Sequence, residues 1–155
     1  MSTSRQIPPL IWRLMRRLNQ RLALLIGKGG GPAGVVLVLT TTGRKSGLPR
    51  QTPLQYEEID GAYYIGSARG QEADWFLNIL ADPHVTLQVK GKRFAGLAEA
   101  ITDARRIADF LELRLQRHPR MIRMIMRADG LPARHTRSDL ERFATGKAMV
   151  AIRPV

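Results

Sequence analysis

Three cations, Arg44, Lys45 and Arg50, are the residues in this chain best suited to chemistry. They lie among hydroxyls and glycines in the run Thr40-Thr41-Thr42-Gly43-Arg44-Lys45-Ser46-Gly47-Leu48-Pro49-Arg50-Gln51-Thr52-Pro53. Gly43 and Gly47 can take positive φ and let backbone N–H groups approach a ligand. The cations add charge-assisted bonds, and arginine can grip an oxyanion with two parallel donors. Such a loop can hold a phosphate or a carboxylate. Its spacing matches neither G-x-x-x-x-G-K-[ST] nor G-x-G-x-x-G, so neither nucleotide fingerprint applies. The plainer alternative is a solvated basic hairpin turn, because glycine with charge is ordinary turn chemistry.

Other catalytic constellations are not supported. A serine triad would need Ser46 or Ser67 with His84, His118 or His135, and no G-x-S-x-G elbow is present. The absence of cysteine excludes disulfides, thiolate metal sites and a cysteine nucleophile. The histidines lack metal-ligand spacing. Trp75 and the methionines at 121, 124 and 126 read most simply as packing, and Ser67 as a turn residue at a strand end.

The elements that would position the loop come from periodicity. The β-branched run Val35 to Thr41 reads as a buried strand entering it, and Gln51 to Ile59 as the strand leaving it. Asp60-Gly61 is a hairpin turn into a third strand, Ala62 to Ser67, so these three strands are expected to form an antiparallel meander. A helix over Gln71 to Ala81 stops before Pro83. Strands come next at Val85 to Val89 and Arg93 to Ile101. Thr102 is expected to cap a helix running to Arg117, with Ile107, Phe110, Leu111 and Leu115 inward. Short helices from Pro119 and near Ser138 to Ala144 precede a last strand at Ala148 to Arg153.

Upstream, residues 10–26 have a helical pattern. Ile11, Leu14, Met15, Leu18, Leu22 and Leu25 share one face, with arginines on the other. Such a basic amphipathic helix can lie on an anionic bilayer or pack on the rest of the fold. A glycine-rich linker, Gly27 to Pro32, separates it from the first strand. The expected division is therefore 1–34, helix and linker, and 35–155, the main domain. The chain has 155 residues, enough for a real core, and carries a net charge of +12. That charge predicts attraction to polyanions: an anionic cofactor, an anionic membrane, or nucleic acid without specificity, since no nucleic-acid motif is present. No apolar run reaches transmembrane length, and no signal peptide is read.

Leu39 to Leu54 resembles the signature of the deazaflavin-dependent nitroreductase and quinone-reductase family. A second block resembles the family's next motif in order and spacing: Gly66-Ser67-Ala68-Arg69-Gly70, then Ala73 to Asn78, then Ala81-Asp82-Pro83-His84-Val85. The similarity is good over roughly residues 35 to 102. It implies an α+β split β-barrel, akin to flavin-mononucleotide-binding barrels. Such a barrel would have about six mostly antiparallel strands, flanking helices and here an N-terminal amphipathic helix.

The resemblance further implies the 8-hydroxy-5-deazaflavin coenzyme F-420, which carries a phosphate and an acidic glutamate tail. Arg44, Lys45 and Arg50 match its anion-binding positions, with Thr41, Thr42, Gly43, Ser46 and Gly47 nearby. Thr52 and Pro53 match the segment bordering the deazaflavin ring. Ser67, Ala68 and Arg69 match the strand end and loop beside ring and substrate, and Trp75 and Asn78 the supporting helix. Gln55 and Tyr56 fall at the substrate site. The implied reaction is hydride transfer to a small apolar acceptor such as a quinone or nitroaromatic, with no catalytic side chain required. The implied setting is cytoplasmic, with residues 10–26 able to add a peripheral membrane contact. This chain departs from the better-known quinone-reducing members at several points. Thr52 stands where they carry Asn, and Gln55, followed by Tyr56, where an aromatic is frequent. The loop between the Ser67 block and Trp75 is short, and the C-terminal third has no tyrosines. A related barrel using flavin mononucleotide (FMN), or one that binds a cofactor or lipophile without catalysis, is the alternative.

Overall fold

The computed structural model describes residues 36–67 and 69–155. The amphipathic segment 10–26, the glycine-rich linker, the 1–34 division and Ala68 lie outside the described residues.

Seven strands form one antiparallel sheet: β1 (Val36–Thr42), β2 (Pro49–Gln55), β3 (Glu57–Ile59), β4 (Ala62–Ser67), β5 (His84–Val89), β6 (Lys92–Ile101) and β7 (Ala148–Pro154). Their order across the sheet is β2-β1-β5-β6-β7-β4-β3. Four described helices accompany them: α1 (Asp74–Ala81), α2 (Ala104–Arg117), α3 (Pro119–Ala128) and α4 (Arg137–Ala144).

The expected strand 51–59 is two strands at opposite edges of the sheet. β2 pairs with β1, whereas β3 pairs with β4 and β4 with β7. The expected meander of the first three strands is therefore corrected. Tyr56 alone joins the two edges, so the sheet must curl until they meet, and β2 touches β4. Period-two alternation breaks at this joint, because Tyr56 and Glu57 are both buried. That is the local mark of a strand changing partners.

The turns obey their local chemistry. Asp60-Gly61 and Lys90-Gly91 each hold two successive positive φ values, near 50° and 79°, as two-residue hairpin loops with the native twist require. Asp103, not Thr102, caps α2: its carboxylate accepts from the N–H groups of Arg105 and Arg106. A carboxylate there also faces the positive end of the helix dipole. Thr136 and Asp139 form a reciprocal capping box on α4.

Curling creates two apolar layers. Leu37, Leu39, Ile65, Leu87, Phe76 and Ile79 pack inside the barrel, while Ile101, Ile107, Phe110, Ile122 and Leu140 fill the space between the sheet and helices α2–α4. Strand β7 serves both. Ala148, Val150 and Ile152 point into the first layer, and Met149 and Ala151 into the second. A strand covered on both faces reads as a continuous apolar run, which is what Ala148 to Ile152 is.

Candidate functional site

The loop between β1 and β2 is built by its own hydrogen bonds. Gly43 N–H donates to the Leu48 carbonyl and Gly47 N–H to the Gly43 carbonyl, each at 2.8 Å. Gly47 has φ +70°, and a Cβ on Gly43 would lie 2.6 Å from Ser46 Oγ. Both glycines are thus needed for closure of the turn, and their amides are consumed by it. Ser46 Oγ accepts from Leu48 N–H at 3.2 Å and from Arg50 at 3.4 Å. None of the described residues accepts from the amides of Lys45 and Ser46.

Helix α1 holds the loop through Asn78, whose side chain is buried. Asn78 Oδ1 accepts from Arg44 N–H at 3.1 Å and from its guanidinium at 3.0 Å, and Nδ2 donates to Thr41 Oγ1 at 3.1 Å. The Arg44 guanidinium also meets the Asp74 carboxylate at 3.3 Å. Arg44 is therefore a structural tie between loop and helix. Lys45 has no ion-pair partner among the described residues, and Arg50 has only the Ser46 hydroxyl.

A cavity of about 1180 Å³ opens beside this loop. It contains, of the residues singled out in the sequence, Thr41, Gly43, Arg44, Lys45, Ser46, Arg50, Thr52, Pro53, Gln55, Ser67, Arg69, Trp75 and Asn78. Thr42, Gly47 and Tyr56 do not line it. Tyr56 instead sits in the barrel core with its ring 5.8 Å from that of Tyr63. Burial, reinforced by Glu58, Tyr63 and Glu57, raises the Tyr56 phenol above its usual pKa. The Ser67 hydroxyl donates to the Gly70 carbonyl at 2.7 Å, so toward the cavity it offers an acceptor.

Every residue of β2 lines the cavity. The strand spans about 20 Å at roughly 3.3 Å per residue, and the two ends differ in chemistry. The Pro49 end carries Lys45, Ser46 and Arg50. The Gln55 end meets α2 through Arg114, whose guanidinium lies over the Phe110 ring, and the lining also includes Ile107 and Leu111 of α2 and Ile122, Ile125 and Met126 of α3. Within that apolar wall stands Arg114, which donates to Gln55 Oε1 at 2.8 Å. Arg114 is absent from the residues singled out in the sequence, although a signal is present there. It falls three, four and seven residues after Leu111, Phe110 and Ile107, on the helix's apolar face.

Behind Arg114 lies Glu57, a carboxylate 5% exposed. Arg117 Nη1 and His118 Nε2 each stand 3.0 Å from its oxygens, and Arg114 Nε 3.6 Å away. Burial lowers the Arg114 pKa, and the Glu57 charge opposes that shift. Buried charge here is balanced by charge, as it must be.

The donor set at the loop fits a phosphate or carboxylate group: the Lys45 ammonium, unpaired among the described residues, the Arg50 guanidinium, the Ser46 hydroxyl and two open amides.

Residues 13–133 match the family described as F420H(2)-dependent quinone reductase. A curated F420H(2)-dependent quinone reductase of Mycobacterium tuberculosis strain H37Rv is 37% identical over 68 residues, covering 42% of this chain and 46% of the relative. The chain thus spans about half the length of the curated relatives it matches. Among solved structures, an F420-H2 dependent reductase superposes with a TM-score of 0.54 at 21% identity, covering 79% of this chain and 96% of the other. The heme storage protein HutZ from Vibrio cholerae gives 0.52 at 14% identity, covering 77% and 81%. Both likenesses are of fold, a split β-barrel with helices outside. With the family matched over most of its length, the chain belongs to the F420H(2)-dependent quinone reductase family.

Proposed function

We propose that this protein is an oxidoreductase that uses reduced coenzyme F-420 to reduce a quinone or a similar small apolar acceptor. The observation that carries this reading is one cavity lined both by Lys45, Ser46 and Arg50 and by apolar side chains of α2 and α3. An anionic, ring-bearing coenzyme and an apolar acceptor need those two environments side by side.

The coenzyme, when bound, supplies the hydride. The chain's own residues bind and orient. Lys45, Arg50 and the open amides of Lys45 and Ser46 hold phosphate or carboxylate oxygens. Arg44, Asn78 and Thr41 keep the loop in register with α1. Thr52, Pro53, Ser67 and Trp75, which also line the cavity, would border a planar ring. The apolar wall of α2 and α3 excludes water from the acceptor, which keeps electrostatic contacts in the cavity strong.

The test is titration of the purified protein with coenzyme F-420 and, separately, FMN, repeated on a Lys45→Ala/Arg50→Ala variant. Micromolar or tighter deazaflavin binding, weakened at least about tenfold by the double change, is expected for two lost charge-assisted contacts. Preference for FMN would keep the barrel and change the cofactor. Failure of folded protein to bind either would overturn the enzyme reading in favour of a non-catalytic lipophile carrier. Steady loss of quinone absorbance with reduced coenzyme then tests turnover.

A cytoplasmic location with peripheral attachment through residues 10–26 is a further part of this proposal, supported by the arginine-rich amphipathic pattern there. No helix among the described residues is long and apolar enough to cross a membrane. Pelleting with anionic liposomes should fall when residues 1–27 are deleted, and unchanged pelleting would remove that segment from the proposal.

A further inference from the structure

We propose that Arg114, steadied by Gln55, is the hydrogen-bond donor that selects ligands bearing an oxygen, such as a quinone carbonyl or a nitro group, at the apolar end of the cavity. The inference rests on reading that end as the acceptor site.

Four observations support it. Arg114 lines the cavity from the same face of α2 as Ile107, Phe110 and Leu111. Its side chain is 16% exposed, and an occupant of the cavity would cover what water now reaches. Of the five N–H donors on a guanidinium, Nη2 uses one on Gln55 Oε1 at 2.8 Å. Nε is buried without a hydrogen-bond partner, 3.6 Å from the Glu57 carboxylate and out of bonding range, and none of the described residues accepts from Nη1.

The surroundings hold this donor in place. Its guanidinium carbon lies 5.9 Å from the Phe110 ring centroid, over the ring. Gln55 fixes one edge, and Glu57 balances the charge from behind. Glu57 keeps its ion pair with Arg117 and its contact with His118 if Arg114 is changed. A hydrocarbon filling this lobe leaves the remaining donors unpaired. A flat ligand of the same shape with a terminal oxygen pairs one of them. Sites built this way discriminate strongly against the analogue lacking the polar group, because the site's own buried donor is then left without a partner.

The experiment compares two probes of one carbon skeleton, 2-methyl-1,4-naphthoquinone and 2-methylnaphthalene, by equilibrium binding to the full chain without coenzyme. Wild type is expected to prefer the quinone by about tenfold or more. Arg114→Met is expected to bind the hydrocarbon as wild type does and to lose that preference. Three results overturn the proposal: no preference in wild type, an unchanged preference in Arg114→Met, or parallel loss of both probes in folded variant. If Arg114→Met fails to fold, Arg114→Lys carries the test, since it keeps a cation beside Glu57 without the planar fork. Its quinone preference should fall about threefold or more with hydrocarbon binding retained, and an unchanged preference overturns the proposal. Because the readout needs no coenzyme, failure of the coenzyme titration leaves this result standing, and the reverse also holds.

Discussion

Arg44 and Arg114 line the same cavity from the two ends of β2, and their partners give them different work. Arg44 is spent on Asn78 and Asp74, so a cation in the most chemistry-like stretch of the sequence serves as a structural tie. Arg114 comes from an ordinary amphipathic helix and keeps donors uncommitted beside an apolar lobe. Between them, Lys45 and Arg50 hold the loop's available charge. Position in a motif suggests which residues are near a ligand, but the bonds already made decide which of them can bind it.

The largest expected effect sharpens the Arg114 side. Glu57→Ala strips the buried carboxylate from two arginines and the His118 ring and should cost about 3–5 kcal/mol, measured by urea unfolding. A loss under about 1 kcal/mol would mean that the cluster is better hydrated than its burial suggests. Next, Asn78→Ala removes three hydrogen bonds from a buried amide and frees Thr41 and Arg44. A loss of about 2–3 kcal/mol is expected, with amide exchange accelerated in residues 43–48.

The loop itself provides the direct contrast. Arg44→Ala should lower stability by about 1 kcal/mol, whereas Lys45→Ala/Arg50→Ala should leave stability within about 0.5 kcal/mol and reduce anion binding. If Arg44→Ala instead spared stability and abolished coenzyme binding, the division of labour would be reversed. Titration calorimetry with thermal melts on the same samples reads both quantities.

The smallest effect lies away from the cavity and sets the baseline. The Glu99 carboxyl is held below its usual range chiefly by a hydrogen bond from Arg106, opposed by desolvation. Hydrogen bonds from Thr136 do the same for Asp139 at the start of α4. A depressed carboxylate contributes stability above its unfolded pKa and loses it as pH falls through the folded value. Thermal stability should therefore hold from neutrality down to about pH 4.5 and decline below it. Glu99→Gln should make that decline slightly shallower, because the pair is exposed and screened. An unchanged acid profile would assign the decline to other carboxylates.

Several features are legible from residues alone. Asp60-Gly61 and Lys90-Gly91 demand hairpins, Pro119 opens a helix, and the Ile107, Phe110, Leu111 pattern places α2's inward face. The loop's cations and glycines stand out as a unit, and most of the residues singled out do line one cavity. Three things are not legible. Residues 51–59 look like one strand, because nothing local says that Tyr56 is the point where the chain passes from one sheet edge to the other. The family resemblance put Tyr56 at the substrate site, and the joint turns it into the core. Thr102 and Asp103 are both good caps, and only the geometry of the first helical turn chose Asp103.

By itself, the sequence determined what depends on neighbours within a few residues: turn types, helix faces, the alternation of strands, and a basic loop rich in donors. Local sterics and hydrogen-bond chemistry settle those. The tertiary structure alone decided which strand pairs with which, how far the sheet curls, and which arginine has its donors free. Those depend on contacts between residues such as Arg44 and Asn78, or Gln55 and Arg114, that lie 34 and 59 positions apart. No short-range pattern carries such pairings, and they determine which donors remain available at each end of the cavity.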